Sequence, residues 1–419
     1  MNITVEPRPI GGRITAIPSK SHVHRLLISA ALSGEETRVI CPASSEDIGA
    51  TARCLNALCA DISYDGESFT VRPDRAKALS GRQVLDCGES GSTYRFLFPV
   101  ACALGADASF LLKGRLPERP MDPLFDALEA HGVTITGKGS GEVRSSGQLQ
   151  SGVFTIPGDI SSQFISGLLF ALPLLKGNSE IRITGKIESK KYIDITLEAL
   201  KQFGVRADME ESRILMPGNQ DYRSPGTVRG EGDWSNAAFW CCAALVSGRQ
   251  MSISGLSPGS PQGDREILNI CREMGAGVQW EDGSVTLTPG ALQGIDIDVS
   301  DVPDLVPAIA AAACAAKGTT RILNAGRLRI KESDRLQSVT RVLKGLGADI
   351  EEGEDSLTIR GGKTLTGGTV DSWGDHRIAM MAAIAAPLCS NPVTIRNAEA
   401  VKKSYPGFFE DLRKLEIGD

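Results

Sequence analysis

The feature that most constrains this chain is a repeat. A phrase that reads as an amphipathic helix, then a Gly or Ala turn, then an apolar strand start recurs along the sequence. Copies begin at Cys54, Ala127, Ala199, Ile270 and Val342, and a truncated one begins at Asp411. Aligning the turn gives Cys59, Gly132, Gly204, Gly275, Gly347 and Glu416, at intervals of 73, 72, 71, 72 and 69 residues. Five near-equal intervals across 419 residues identify one supersecondary unit used six times.

A second phrase recurs in phase with the first. A small polar cluster opens a nearly all-apolar, Ala-rich helix at Ser19, Gly88, Gly158, Gly232, Val302 and Gly374. A helix that is apolar all round is buried. β-Branched runs bounded by Gly, such as Ile181–Thr184, Val285–Thr288 and Leu357–Arg360, predict strands. Each unit therefore reads as strand, buried helix, strand, amphipathic helix, short strands. Three units of about 70 residues make one domain of ordinary size, so six make two. Asn219–Thr227, polar with Pro and Gly, is expected to be the linker between them.

Composition narrows the function. With 45 Lys+Arg against 51 Asp+Glu, the net charge is −6, and no long basic run is present. That argues against nucleic acid and against membrane surfaces as partners. The longest apolar stretches, such as Val306–Ala316, are too short to span a bilayer. The N-terminus has no signal-peptide pattern, and the ten Cys are scattered without a C-x-x-C pair. A cytoplasmic protein with reduced thiols and no structural metal is expected.

Six buried helices opening on polar clusters would offer six N-termini, each with unpaired amides and a partial positive charge. If they converge, they form an anion trap. Lys20, Arg25, Arg119, Lys331, Arg335, Arg377 and Lys403 all lie at or near expected helix starts. A cation is locally unfavourable there, which an anionic ligand would explain. The plain alternative for each is a solvated surface charge. Ser333 or Asp334 can be read as a helix cap, and Asp304 as a cap or a general base. His376 can be a buried histidine or a functional one. His22-x-His24 has no third ligand nearby in sequence, so a metal site there is not expected. Gly88-x-x-Gly91 matches neither dinucleotide nor Walker spacing.

Several motifs carry a resemblance. Pro18-Ser-Lys-Ser21, Leu116-Pro-Glu-Arg-Pro120, Gly158-Asp-Ile-Ser-Ser-Gln163, Ser189-Lys-Lys-Tyr-Ile-Asp194, Lys331-Glu-Ser-Asp-Arg-Leu336 and Asp375-His-Arg377 closely resemble the 5-enolpyruvylshikimate-3-phosphate synthase family. The resemblance runs from Pro18 to Phe408. It implies an α/β fold of two similar domains, each of three βαβαββ units with buried parallel helices (an inside-out α/β barrel). The domains would comprise 1–18 with 229–419, and 19–228, closing over an active site in the cleft between them. The implied reaction transfers the enolpyruvyl group of phosphoenolpyruvate to the 5-hydroxyl of shikimate-3-phosphate, without cofactor, in a monomer. Glyphosate is the implied competitor of phosphoenolpyruvate.

Position by position, the resemblance assigns Ser21, Arg25, Ser161, Ser162, Gln163, Ser189, Tyr192, Asp304 and Lys331 to shikimate-3-phosphate. It assigns Lys20, Gly91, Arg119, Gln163, Arg335, Arg377 and Lys403 to phosphoenolpyruvate. Lys20, Asp304, Glu332 and His376 are the implied catalytic set. Asp304 would take the hydroxyl proton, and Glu332, with Lys20 as rival, would protonate the methylene carbon. The sequence departs from the commonest family phrase at Gly88-Glu-Ser-Gly-Ser92, where Glu89 would repel a phosphate unless it is turned away or paired. Arg327 stands where an Asn often contacts the shikimate-phosphate side, and Phe96 replaces a Pro found in some members. The sister transferase acting on UDP-N-acetylglucosamine typically carries a Cys in the loop that here reads Lys113-Gly-Arg-Leu-Pro-Glu-Arg-Pro120 without one. A non-catalytic binding protein on the same scaffold is the other alternative, distinguished by the intact proton-transfer residues.

Overall fold

The computed structural model describes residues 1–416. Among them, twelve α-helices alternate between two kinds. The odd-numbered ones are the buried helices: α1 (Lys20–Ala31), α3 (Gly91–Ala103), α5 (Ser162–Ala171), α7 (Trp234–Ser247), α9 (Val306–Ala315) and α11 (His376–Ala385). The even-numbered ones bury one face only: α2 (Glu46–Leu58), α4 (Asp122–Glu129), α6 (Lys190–Gln202), α8 (Ile267–Glu273), α10 (Arg335–Gly345) and α12 (Phe408–Leu415). The sequence period is thus one buried and one amphipathic helix per unit. The turn after each even helix needs a left-handed residue four times, at Gly132, Gly204, Gly275 and Gly347, where φ lies between 75° and 106°.

Five four-stranded sheets share one plan: a parallel pair continued by an antiparallel hairpin. Around α3, α5, α9 and α11 the strand before the helix pairs in parallel with the strand after it, the usual crossover. The other two repeats differ. The strand before α1, Gly12–Thr15, pairs with Met251–Ser254, which follows α7. The strand before α7, Thr227–Arg229, pairs with Thr37–Ile40, which follows α1. The two repeats have exchanged their first strands. Among the described residues the last repeat has no hairpin, and Ile3–Val5 pairs antiparallel with Val393–Arg396 in its place.

The exchange closes two compact units: 18–230, and 1–17 together with 231 onward. Each has its own hydrophobic core. The chain crosses between units at 17–18 and 230–231, and the expected linker at Asn219–Thr227 is instead part of the first unit. Tyr222 is buried there, donating its hydroxyl to the Phe170 carbonyl at 2.8 Å, and Thr227 starts the swapped strand. Pro and Gly in that stretch turn the chain into an edge strand; they do not free it.

The buried helices pack closely because small residues allow it. In α3, Pro99 lacks the N–H that would bond the Arg95 carbonyl. Gly167 of α5 sits against that carbonyl, where any Cβ would collide with it. This contact fixes the N-terminal half of α3, which carries Arg95, beside the start of α5.

Candidate active site

In the unit 18–230 the N-terminal ends of α1, α2, α3 and α5 gather. Ser19 caps α1, Ser45 caps α2, Ser90 caps α3 and Ser161 caps α5, each accepting a backbone N–H. Lys20, the first residue of α1, pairs with Asp47 of α2 at 2.9 Å. Gln163 of α5 donates to Ser92 Oγ at 2.9 Å and accepts from Arg95 Nη1 at 2.9 Å. Arg119, which follows a short 3-10 turn, lays its guanidinium over Gly91. A Cβ at 91 would stand 2.8 Å from Arg119 Nη1 and 3.3 Å from Arg95 Nη1. Gly91 leaves the room into which two cations reach, and a side chain there would push the guanidinia back. Glu89 is exposed and its carboxylate lies over Gly114 of the neighbouring loop, whose missing side chain leaves it room.

Arg25 lies one turn deeper in α1. It is buried, and its donors reach Thr196 Oγ1 (2.7 Å), the carbonyls of Ser21 (2.6 Å) and Tyr192 (2.9 Å), and Ser166 Oγ (3.4 Å). Phe96 covers it, 4.9 Å from the guanidinium to the ring centre. Among the described residues it has no carboxylate partner. A buried cation is costly unless an anion meets it, and here neutral oxygens take that place. Ser189 is buried at the start of α6 with a left-handed backbone (φ 55°), and Tyr192 follows in the first turn. Ser162 opens α5, buried beside its capping neighbour Ser161.

In the other unit, the ends of α9, α10 and α11 meet around Arg335. This guanidinium is fully buried and touches three carboxylates: Asp375 Oδ2 at 2.8 Å, Asp304 Oδ1 at 2.8 Å and Glu332 Oε2 at 2.6 Å. Asp304 also takes Arg377 Nη2 at 3.0 Å and lies 3.6 Å from Lys331 Nζ. Burial alone would raise the Asp304 carboxyl. Arg377, Lys331 and Arg335 outweigh it and hold Asp304 well below the usual carboxylate range. Lys331 is itself pushed down to about 8, mainly by burial, with Arg327 and Arg335 adding repulsion against the pull of Asp304 and Glu332.

The capping expectations resolve unevenly. Asp334 caps α10, accepting from the Gln337 N–H at 3.1 Å. Ser333 does not; it donates to Asp375 at 3.1 Å. Asp304 makes no cap either, because it sits in the 3-10 turn Pro303–Leu305 and its oxygens are taken by arginines. His376 is buried at the first position of α11, beside Asp375 at 3.8 Å. Lys403 Nζ donates to the Gly374 carbonyl at 2.6 Å. The cations of this unit were expected to await a ligand, yet Lys331, Arg335 and Arg377 face protein carboxylates. Among the described residues, Arg25 in the unit 18–230 is by contrast a buried arginine bonded to hydroxyls and carbonyls.

Three residues outside the expected set belong to these clusters. Asp375 is fully buried, caps α11 through the Arg377 N–H at 2.9 Å and anchors Arg335. Its sequence signal was the recurring Gly-Asp before a buried helix. Arg95 links α3 to Gln163 and to the Pro120 carbonyl at 3.1 Å. Asp264 is buried, accepts from Ser235 Oγ, and is raised to about 6 by burial and by the Asp304 charge. Among the described residues no group of three His, Cys, Asp or Glu side chains could hold a metal, and no helix is long and apolar enough to cross a membrane. All ten cysteines are free and buried.

Repeated α/β units presenting gathered helix ends, buried arginines and an ionised carboxylate define a protein that handles small anionic substrates with acid–base groups at hand. The chain belongs to the EPSP synthase (3-phosphoshikimate 1-carboxyvinyltransferase) family, whose model matches residues 5–412. It is 42% identical to the 3-phosphoshikimate 1-carboxyvinyltransferase of Clostridium kluyveri, over 99% of this chain and 97% of the relative. The enzyme of the same name from Clostridium acetobutylicum is 41% identical over 99% and 97%. The structure of an EPSP synthase from Acinetobacter baumannii is similar with a TM-score of 0.82 and 26% identity, covering 99% of this chain and 98% of that one. The enolpyruvyl transferase NikO of Streptomyces tendae shares the fold at 19% identity, with a TM-score of 0.78 over 99% and 97%.

Proposed function

We infer that the chain transfers the enolpyruvyl group of phosphoenolpyruvate to the 5-hydroxyl of shikimate-3-phosphate and releases phosphate, in the shikimate pathway and in the cytoplasm. The observation that carries the chemistry is the joint hold of Arg335 on Asp304 and Glu332, two carboxylates available for proton transfer in one cluster.

In this reading Asp304 accepts the 5-hydroxyl proton as the oxygen attacks. Glu332 delivers a proton to the methylene carbon, with Lys20 as the other candidate donor. Protonation leaves the middle carbon cationic, the hydroxyl oxygen bonds to it, and a tetrahedral intermediate forms. Loss of phosphate and of one methyl proton then restores the vinyl group. To act as an acid Glu332 must exchange its bond to Arg335 for a proton. Substrate anions that engage Arg335, Arg377 and Lys403 would allow that exchange. Arg25, Ser21, Ser161, Ser162, Gln163, Ser189, Tyr192 and Lys331 hold shikimate-3-phosphate; Lys20, Gly91, Arg119 and Gln163 serve phosphoenolpyruvate. His376 belongs to the same cluster through Asp375. Once engaged by the substrates, the cations stabilise charge on the intermediate.

The test is phosphate release from phosphoenolpyruvate with shikimate-3-phosphate as acceptor and UDP-N-acetylglucosamine as control. Release is expected only with the first. Release only with the second, or with neither, would overturn the assignment.

A further inference from the structure

A buried chain of hydroxyls ends at the start of α3. His24 Nδ1 lies 2.6 Å from Thr51 Oγ1, Thr51 Oγ1 lies 2.6 Å from Thr93 Oγ1, and Thr93 donates to Ser90 Oγ at 2.7 Å. All four residues are buried, and the chain joins α1, α2 and α3.

The direction of the last bond fixes the others, since each threonine hydroxyl has one hydrogen to give. Thr93 Oγ1 lies 2.7 Å from Ser90 Oγ and 3.5 Å from the Asp47 carbonyl; it gives its hydrogen to the nearer acceptor, so Thr51 must donate to Thr93. Thr51 then has nothing to give His24, so His24 must donate through Nδ1–H. The opposite end of the ring agrees: His24 Nε2 has no hydrogen-bond partner, and an unshared lone pair there is cheaper than a buried N–H without an acceptor. Burial, with Lys20 and Arg25 nearby, keeps the ring neutral.

Ser90 therefore receives two hydrogens, from the Thr93 hydroxyl and the Thr93 N–H at 3.3 Å, and keeps its own. That hydrogen has no acceptor among the described residues. Ser90 directly precedes Gly91, the residue over which the Arg119 and Arg95 guanidinia lie. Asp47, whose carbonyl Thr93 Oγ1 faces, is the partner of Lys20 at 2.9 Å.

We propose that Ser90 is a phosphoenolpyruvate-binding residue of this chain, donating its hydroxyl hydrogen to the bound anion, and that His24, Thr51 and Thr93 are positioning residues that orient it. This rests on the substrate assignment above and adds a ligand to it. The relay works by occupying the acceptor lone pairs of Ser90, so that its hydrogen is left for the ligand.

Ser90 also caps α3, and the test must separate the two roles. Glycine caps nearly as well as serine, whereas alanine does not. The measurement is the steady-state KM for each substrate in Ser90→Gly, Ser90→Ala and Ser90→Thr. Loss of one hydrogen bond to an anion predicts a rise of about tenfold or more in KM for phosphoenolpyruvate in both the Gly and Ala variants. The KM for shikimate-3-phosphate should stay within about twofold, and Thr should restore the wild-type value. A Gly variant with unchanged KM for phosphoenolpyruvate would reduce Ser90 to a cap and overturn the proposal while wild-type activity upheld the substrate assignment. A wild-type protein inactive with both substrates would overturn the two together. Independently, nitrogen-15 NMR of the four histidines should show His24 protonated on Nδ1; protonation on Nε2 would reverse the chain and contradict the relay.

Discussion

Arg335 donates through Nη1 to Asp304 Oδ1 at 2.8 Å, and through its other nitrogens it holds Asp375 and Glu332. The proposed base is thus ionised and held in place before substrate arrives. Its low basicity means that it can take a proton only from a hydroxyl made acidic by attack on the cationic carbon.

Asp304→Ala should consequently cut kcat by about 100-fold to 10,000-fold, the span expected for a general base. Binding of shikimate-3-phosphate should suffer far less, because Arg25, Ser161, Ser162 and Lys331 remain. Steady-state rates together with calorimetric titration of shikimate-3-phosphate check this. Equal losses in kcat and in affinity would make Asp304 a binding residue.

Lys331 gives a pH dependence. Its pKa is lowered to about 8, so it is charged below that pH and neutral above it. Only the charged form attracts the shikimate-3-phosphate anion. In the free enzyme kcat/KM for that substrate should fall as pH rises through about 8. Lys331→Arg stays charged at every accessible pH, and its profile should lack this alkaline limb even if its plateau is lower. A limb retained in the Arg variant would assign the titration to another group.

Asp264 gives a stability dependence of defined sign. Its folded pKa of about 6 exceeds the ordinary 3.8. The proton it favours stabilises the fold below the ordinary value, and that contribution is lost as pH rises through about 6. Above pH 7 the buried carboxylate costs at most about 3 kcal/mol. Asp264→Asn, which can still accept from Ser235, should raise the melting temperature at pH 8 relative to the parent more than it does at pH 5. A difference independent of pH would refute the linkage.

Much of this was legible in the sequence because the repeat is written twice, once in apolar periodicity and once in polar helix starts. The helices and their burial follow from that. The strand exchange does not, since Gly12–Thr15 and Thr227–Arg229 have the same local pattern whichever sheet they join. The linker was misplaced for the same reason: Pro and Gly mark a turn into an edge strand as well as a hinge. Arg335 was visible as a cation at a helix start. Its partners Asp304 and Asp375 lie 31 and 40 residues away, and only the packing of α9, α10 and α11 brings them together. Glu89 was read as a threat to phosphate binding; the structure shows its carboxylate over Gly114 of the neighbouring loop.

Gly91→Ala should act through the arginines. The new methyl would stand 2.8 Å from Arg119 Nη1, and the flexible guanidinium must retreat. The KM for phosphoenolpyruvate should rise by about tenfold, the scale of one weakened charge-assisted contact. Inhibition by glyphosate, expected to be competitive with phosphoenolpyruvate in the parent, should weaken as well, while the KM for shikimate-3-phosphate holds. Unchanged kinetics would remove Gly91 and Arg119 from the phosphoenolpyruvate site.

Addition followed by elimination passes the methylene carbon through a methyl group, so the reaction run in heavy water is the most direct test. Mass spectrometry of the product formed from shikimate-3-phosphate and phosphoenolpyruvate should show deuterium in the vinyl methylene, with one phosphate released per product. Product with an unlabelled methylene would contradict protonation at carbon and, with it, the roles given to Asp304 and Glu332.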